Sequence, residues 1–139
     1  MESRLFPRPV PLPQVPAELP GLVRAVYQAA EGQLTMLRAL VNSSVGAEVR
    51  RLRRAQRLSA IRDVLASIGA GDSETRRAVA VVSLLASADA GLAMVDHYGL
   101  TLAEAGIACA ETTRALIDEL TTQAAAPPPK DSRIQRGST

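Results

Sequence analysis

Three features carry side chains capable of chemistry: the run "VDHY" at 95–98, the lone thiol Cys109, and the arginine run "RRLRRAQR" at 50–57. Asp96 and His97 are the residue types of an oriented general base. Neighbours on a helix point about 100° apart, however, and no nucleophile or second ligand stands at helical spacing with them. His97 reads as a helix-end residue, its imidazole favourable near the negative end of the dipole. Cys109 has no histidine within sequence reach and falls in an apolar seam, so it reads as packing rather than as a reactive thiol. The arginines have the charge to neutralise phosphates. Yet Arg50, Arg51, Arg53, Arg54 and Arg57 are expected mainly opposite the apolar stripe of their own helix, as a solvated face with no interleaved aromatic to stack a base. Gly-rich phosphate loops, paired carboxylates and metal spacings are absent. The expectation is a protein that is not an enzyme and takes no metal and no cofactor.

Composition sets the frame in which these residues must sit. The 139 residues allow one core, and with 47% hydrophobic but only 2% aromatic residues that core must be aliphatic, which favours packed helices over a sandwich. A net charge of +2 creates no global field towards nucleic acid. One cysteine excludes an intrachain disulfide and suits a reducing, cytoplasmic setting. The opening "MESRLFPRPVPLP" has no apolar h-region, and no stretch reaches the roughly 18 apolar residues of a membrane span, so neither export nor membrane insertion is expected. All basic residues but Lys130 are Arg, a bias expected of a GC-rich bacterial genome.

Proline marks the boundaries. Residues 21–126 are free of it, which frames a helical domain at 17–125 between a Pro-rich linker at 1–16 and a polar, disordered tail at 126–139. Within the domain, two shorter helices are predicted at 17–31 and 33–43, separated near Gly32, with Leu22, Val26 and Ala29, then Leu37, Leu40 and Val41, as their inner positions. A longer one carries Val45, Val49, Leu52, Ala55, Leu58, Ile61, Leu65 and Ile68 at intervals of three and four, and ends at "GAGD". Asp72 or Ser73 then caps a helix running unbroken to Tyr98, about 39 Å at 1.5 Å per residue. Gly99 fits the left-handed position past its end, with Leu100 folding back on Val95. Thr101 and Glu104 have the spacing of a capping box for a fifth helix over 102–124.

The last two helices show more apolar face than one core needs. Val79, Val82, Ala86 and Ala93 mark one stripe of the fourth helix, and small residues in "ASADAG" with Asp89 admit a close neighbour. On the fifth, Leu102, Gly106, Cys109, Thr113, Leu116 and Leu120 alternate by four and three, with Ile107, Ala110 and Ile117 as a second apolar strip beside them. The expectation is an all-α antiparallel bundle of about five helices whose last two pair across a two-fold axis, making a homodimer through a four-helix bundle. A small-molecule cavity between helices is also expected. Tyr27, Met36, Leu37 and Leu40 from the first two helices are candidate linings, as are Leu58, Ile61 and Leu65 from the third and Leu84, Ser87, Gly91 and Met94 from the fourth.

The stretches "PAELPGLVRAVYQ" (16–28), "EVRRLRRAQRLSAIRDVL" (48–65) and "LLASADAGLAMVDHYGLTLAEAGIACAETTRALIDEL" (84–120) together resemble the C-terminal regulatory domain of TetR-type transcriptional repressors. The resemblance spans residues 1 to about 122 and is diffuse. It implies a homodimer built by the last two helices and a pocket for a small, often hydrophobic effector. It also implies that DNA is bound only through an N-terminal helix-turn-helix, which is not found in these residues; "MESRLF" looks like the end of the helix that links such a head to the body. The rival expectation is a headless helical dimerisation or interaction module with no ligand.

Overall fold

Starts and stops of the kinds expected divide residues 10–126, the part described by the computed structural model, into helices joined by short turns. After a 3-10 turn at Pro16–Glu18 come α1 (Leu19–Ala30), α2 (Leu34–Val41), α3 (Ser44–Ala66), α4 (Asp72–Leu85), α5 (Ala88–Tyr98) and α6 (Leu102–Ala125). No strand occurs among the described residues, and the class is all-α. The expected linker lies largely outside this range, as does nearly all of the expected tail. No single helix here is long and apolar enough to cross a membrane.

The turn between α5 and α6 is built as its residues dictate. Gly99 takes φ of 72°, a left-handed conformation that costs a residue without Cβ little. The amide of Leu100 returns to the Met94 carbonyl at 3.2 Å, and Leu100 and Val95 pack against one cluster. Thr101 Oγ1 accepts from the Glu104 amide while Glu104 Oε1 accepts from the Thr101 amide, both at 3.1 Å.

The unbroken helix expected from residue 72 or 73 to Tyr98 is instead two helices, α4 and α5, set at 64° to each other. Ser87 is the cause. Its Oγ accepts from the Ala90 amide at 3.1 Å and donates to the Leu84 carbonyl at 2.6 Å, so it starts α5 as an N-cap instead of continuing α4. At the other end of α4 the cap position falls to Gly71, which puts Asp72 and Glu74 in the first turn beside the positive helix end.

Packing centres on α1 and α6. Leu19, Leu22, Val23, Val26 and Tyr27 form the i, i+3, i+4, i+7, i+8 stripe of α1. One end of that stripe joins Ile61, Val64, Leu65, Ala78, Val79, Val82, Ile117 and Leu120 in one cluster; the other joins Ala86, Leu102, Ala105 and Cys109 in a second. This corrects the expected dimer seam. Leu102, Gly106, Cys109, Thr113, Ile117 and Leu120 are buried, and Leu116 half-buried, within a single chain in which α1 lies along α6. Ala86 is likewise closed into the second cluster.

The long stripe of α3 is also corrected. A three-residue step turns about 300°, so the four consecutive threes from Val49 to Ile61 slip the face around the helix by about 240° in total. Leu58, Ile61, Leu65 and Ile68 therefore pack inward, whereas Val45 and Leu52 stand 63% and 62% exposed.

Gly106 is a sensitive point of the packing. A Cβ there would come within 2.8 Å of Tyr27 Cβ, whereas one on Gly21 of α1 meets nothing within 4 Å. Gly106→Ala should therefore lower stability by about 1–3 kcal/mol through overpacking, and Gly21→Ala should raise it by about 0.5 kcal/mol through backbone entropy, both read as shifts in urea midpoint.

Candidate functional site

Breaking a helix leaves carbonyls without their usual partners, and the break at Ser87 leaves that of Leu85. The phenol of Tyr27 supplies the missing donor from α1, at 2.8 Å. Its ring fits because both helices opposite carry glycine at the contact. A Cβ on Gly91 would lie 3.0 Å from Tyr27 Cε2, and one on Gly106 would lie closer still to the Tyr27 Cβ. With its proton directed to Leu85, the phenol oxygen can accept from the Cys109 thiol at 3.4 Å, and Cys109 Sγ lies 3.8 Å from Met94 Sδ. Burial, then the hydrogen bond and charge interaction with Cys109, push the phenol's pKa well above its ordinary value.

Tyr27, Ser87, Gly91 and Met94 of the expected cavity lining thus do come together around the break. Leu58, Ile61 and Leu65 belong to the other cluster. Leu84 is corrected outright: at 60% exposed on the outer side of α4 it lines no interior space. Met36 is half-buried on α2, and the side chains of Leu37 and Leu40 lie outside the described set.

The arginine run is placed differently from the solvated face expected. Because the apolar face of α3 winds around the helix, Arg50, Arg54 and Arg57 continue towards its N-terminus the side on which Ile61 is buried. Arg50 and Arg54 both reach Asp89 in the first turn of α5, each at 3.4 Å, and the Arg50 side chain is only 25% exposed. Asp89, expected at a dimer contact, is thus engaged within its own chain. Arg57 is half-buried one turn further along, and burial followed by repulsion from Arg54 and Arg53 lowers its pKa. No carboxylate among the described residues pairs with it. Arg51 behaves as expected of a surface residue, paired with Glu48 at 2.9 Å.

Across the same side of α5, Arg38 of α2 grips both oxygens of Asp96. That bond, with the charge of Arg38, holds the Asp96 carboxyl below its ordinary range and raises Arg38. His97 meets only the edge of the Tyr98 ring among described aromatic contacts, at 6.4 Å between centroids. Among the remaining expected dimer residues, Ala93 and Ala110 are half-buried.

The elements therefore assemble two features at the α4–α5 break: a tyrosine anchor on the α1 side and, on the α3 side, the contacts of Arg50 and Arg54 with Asp89. The role of Asp89 went unread in the sequence, although it is the sole acid between Glu74 and Asp96 and stands against an arginine run. Comparison of the chain with family models, with curated proteins and with solved structures finds no match.

Tyr27→Phe should lower stability by about 1–3 kcal/mol, since the Leu85 carbonyl keeps its place but loses its donor. The raised phenol pKa adds a pH signature. The stability gained by keeping Tyr27 neutral is complete below the unfolded-state pKa of about 10 and is lost as pH climbs above it, so melting temperatures of the wild type should fall on the alkaline side more steeply than those of Tyr27→Phe.

Proposed function

We propose that this chain is the effector-binding and dimerising half of a transcription regulator of the TetR kind, one whose own residues bind a small molecule and a second copy but do not themselves read DNA. The stretches that carry the resemblance lie on α1, α3 and the run from α4 to α6, which are the elements that meet at the α4–α5 break.

The observation that carries this reading is the way the first half of α3 is attached. Its apolar residues Val45 and Leu52 face solvent, and Arg50 and Arg54 tie it to Asp89 of α5 through contacts of 3.4 Å. Solvent-exposed pairs of this sort contribute about 0–1 kcal/mol each. An arm tied to the body in part by such pairs can shift when a ligand enters between them, and a shift of that kind is what an effector-responsive domain needs.

The surface for a second copy is proposed on the outside of the bundle, because α1 already covers the inner side of α6. Val81 and Leu84 on α4 and Ile107 on α6 are exposed there, on helices that pack against each other. Large apolar side chains left exposed on adjoining helices are candidates for an interface.

Light scattering at micromolar concentration should give twice the chain mass, and the double variant Leu84→Asp, Ile107→Asp should give the single-chain mass with its helical content intact. A panel of hydrophobic compounds should raise the melting temperature, by a stabilisation of about 2.7 kcal/mol for a ligand at one hundred times its Kd. A chain that stays monomeric and unmoved by every compound overturns the proposal; a dimer with no thermal response leaves the ligand-free interaction module.

A further inference from the structure

Asp89 and Asp96 stand seven residues apart on α5. Seven residues turn a helix through about 700°, so the two carboxylates share one face, about 10 Å apart along the axis. Both meet arginines of a single hairpin. Arg38 of α2 holds the two oxygens of Asp96, while Arg50 and Arg54 of α3 reach those of Asp89. The backbones of α2 and α3 lie against each other and are joined at Ser43, whose hydroxyl accepts from the Gly46 amide at 2.8 Å to start α3. The backbone of α5, by contrast, has its close neighbours in α6, α1 and α4. Long arginine side chains therefore span a wider gap between the hairpin and α5, at two posts. Asp96 is also placed against the field of its own helix: it lies in the last turn of α5, where the dipole disfavours a carboxylate, and its partner belongs to another element. Leu34, one turn before Arg38, rests on the second core cluster, against which Met94 and Val95 of α5 also pack. The turn into α2 pivots on Gly32, at φ 75°, where even an added Cβ would meet nothing within 4 Å.

We propose that α2 and the first half of α3 form one lid, latched onto α5 at Asp96 and Asp89, and that releasing either carboxylate loosens both helices. The inference starts from the movable arm of the effector-binding reading and adds what shuts it; its test uses no ligand, so the two ideas fail separately. Opening parts Leu34 from the second cluster and gives access to the apolar interior beside Met94 and Val95. Both posts are charge pairs in contact with solvent, so the lid responds to ionic strength. Arg38 suits the outer post because its planar fork meets two carboxylate oxygens at once.

The test is amide hydrogen exchange on the full chain, read helix by helix at about 50 mM and about 1 M NaCl. A helix as short as α2 does not persist once detached, so opening shows as faster exchange in α2 and in the first turns of α3. Asp96→Asn should speed exchange about fivefold in both places. Because that change also takes a carboxylate away from the negative end of α5, exchange in α5 and α6 should be no faster. Asp89→Asn should loosen both α2 and the start of α3 as well. Arg38→Gln should match Asp96→Asn, and the two combined should do no more than either alone. High salt should loosen the wild type in the same way and add little to the double variant Asp89→Asn, Asp96→Asn. Asp118→Asn, which removes an exposed carboxylate from α6, should change nothing. Exchange that stays at the wild-type rate in the double variant overturns the latch. Faster exchange that spreads to α6 does so too, since it reports a general loss of stability. Loosening confined to the helix whose arginine was freed makes the posts two separate contacts and overturns the single lid.

Discussion

Tyr27 is the contact on which the arrangement of the remaining helices depends. Its ring occupies the space left by the missing side chains of Gly91 and Gly106, and its hydroxyl reaches the carbonyl of Leu85. One side chain of α1 therefore fixes the distance to α5, the distance to α6 and the place where α4 ends. A bulkier residue at either glycine would separate the helices, and a shorter one at 27 would leave a void and an unsatisfied carbonyl. Two carbonyls at the bend at Ser87 gain side-chain donors: that of Leu84 from the serine itself, that of Leu85 from the tyrosine.

Around that anchor the molecule is held by two kinds of force. Near α1 and α6 the contacts are apolar and buried, and they resist displacement because dense packing has no intermediate arrangement. Where α2 and α3 lean on α5, part-exposed ion pairs join them: Arg38 with Asp96, and Arg50 and Arg54 with Asp89. Charge pairs in water give way at little cost and respond to salt. A densely packed side and a side joined by charge pairs meet at α5.

Much of the scaffold was legible from residue spacing. Gly99, Thr101 and Glu104 defined the α5–α6 turn because their signals are local and depend on no distant partner. The core stripe of α1 was only partly read, through Leu22, Val26 and Tyr27. Three readings went astray for separable reasons. Ser87 was read as an inward-facing pocket residue within a run of good helix formers, whereas its capping bonds outweigh propensity once Tyr27 answers the freed carbonyl. The α3 stripe counted steps of three as if they were interchangeable with steps of four, and so missed the rotation that exposes Leu52 and leaves Arg50 and Arg57 part-buried. The α6 seam was recognised as helix-packing surface, but periodicity does not name the partner, and the partner is α1. Of the candidate site, Tyr27, Gly91 and Met94 were found; the pairing of Asp89 with α3 required knowing which helices are neighbours.

The placement of the two tyrosines has a spectroscopic consequence. The chain has no tryptophan and two tyrosines, one of them closed into the core and the other, Tyr98, 76% exposed at the end of α5. Ring transitions acquire strong optical asymmetry only where the ring is rigidly held, so the near-ultraviolet circular dichroism of this protein is dominated by Tyr27. The chain carries a built-in, single-residue chromophore at its structural centre, and no label is needed to watch the anchor form or let go.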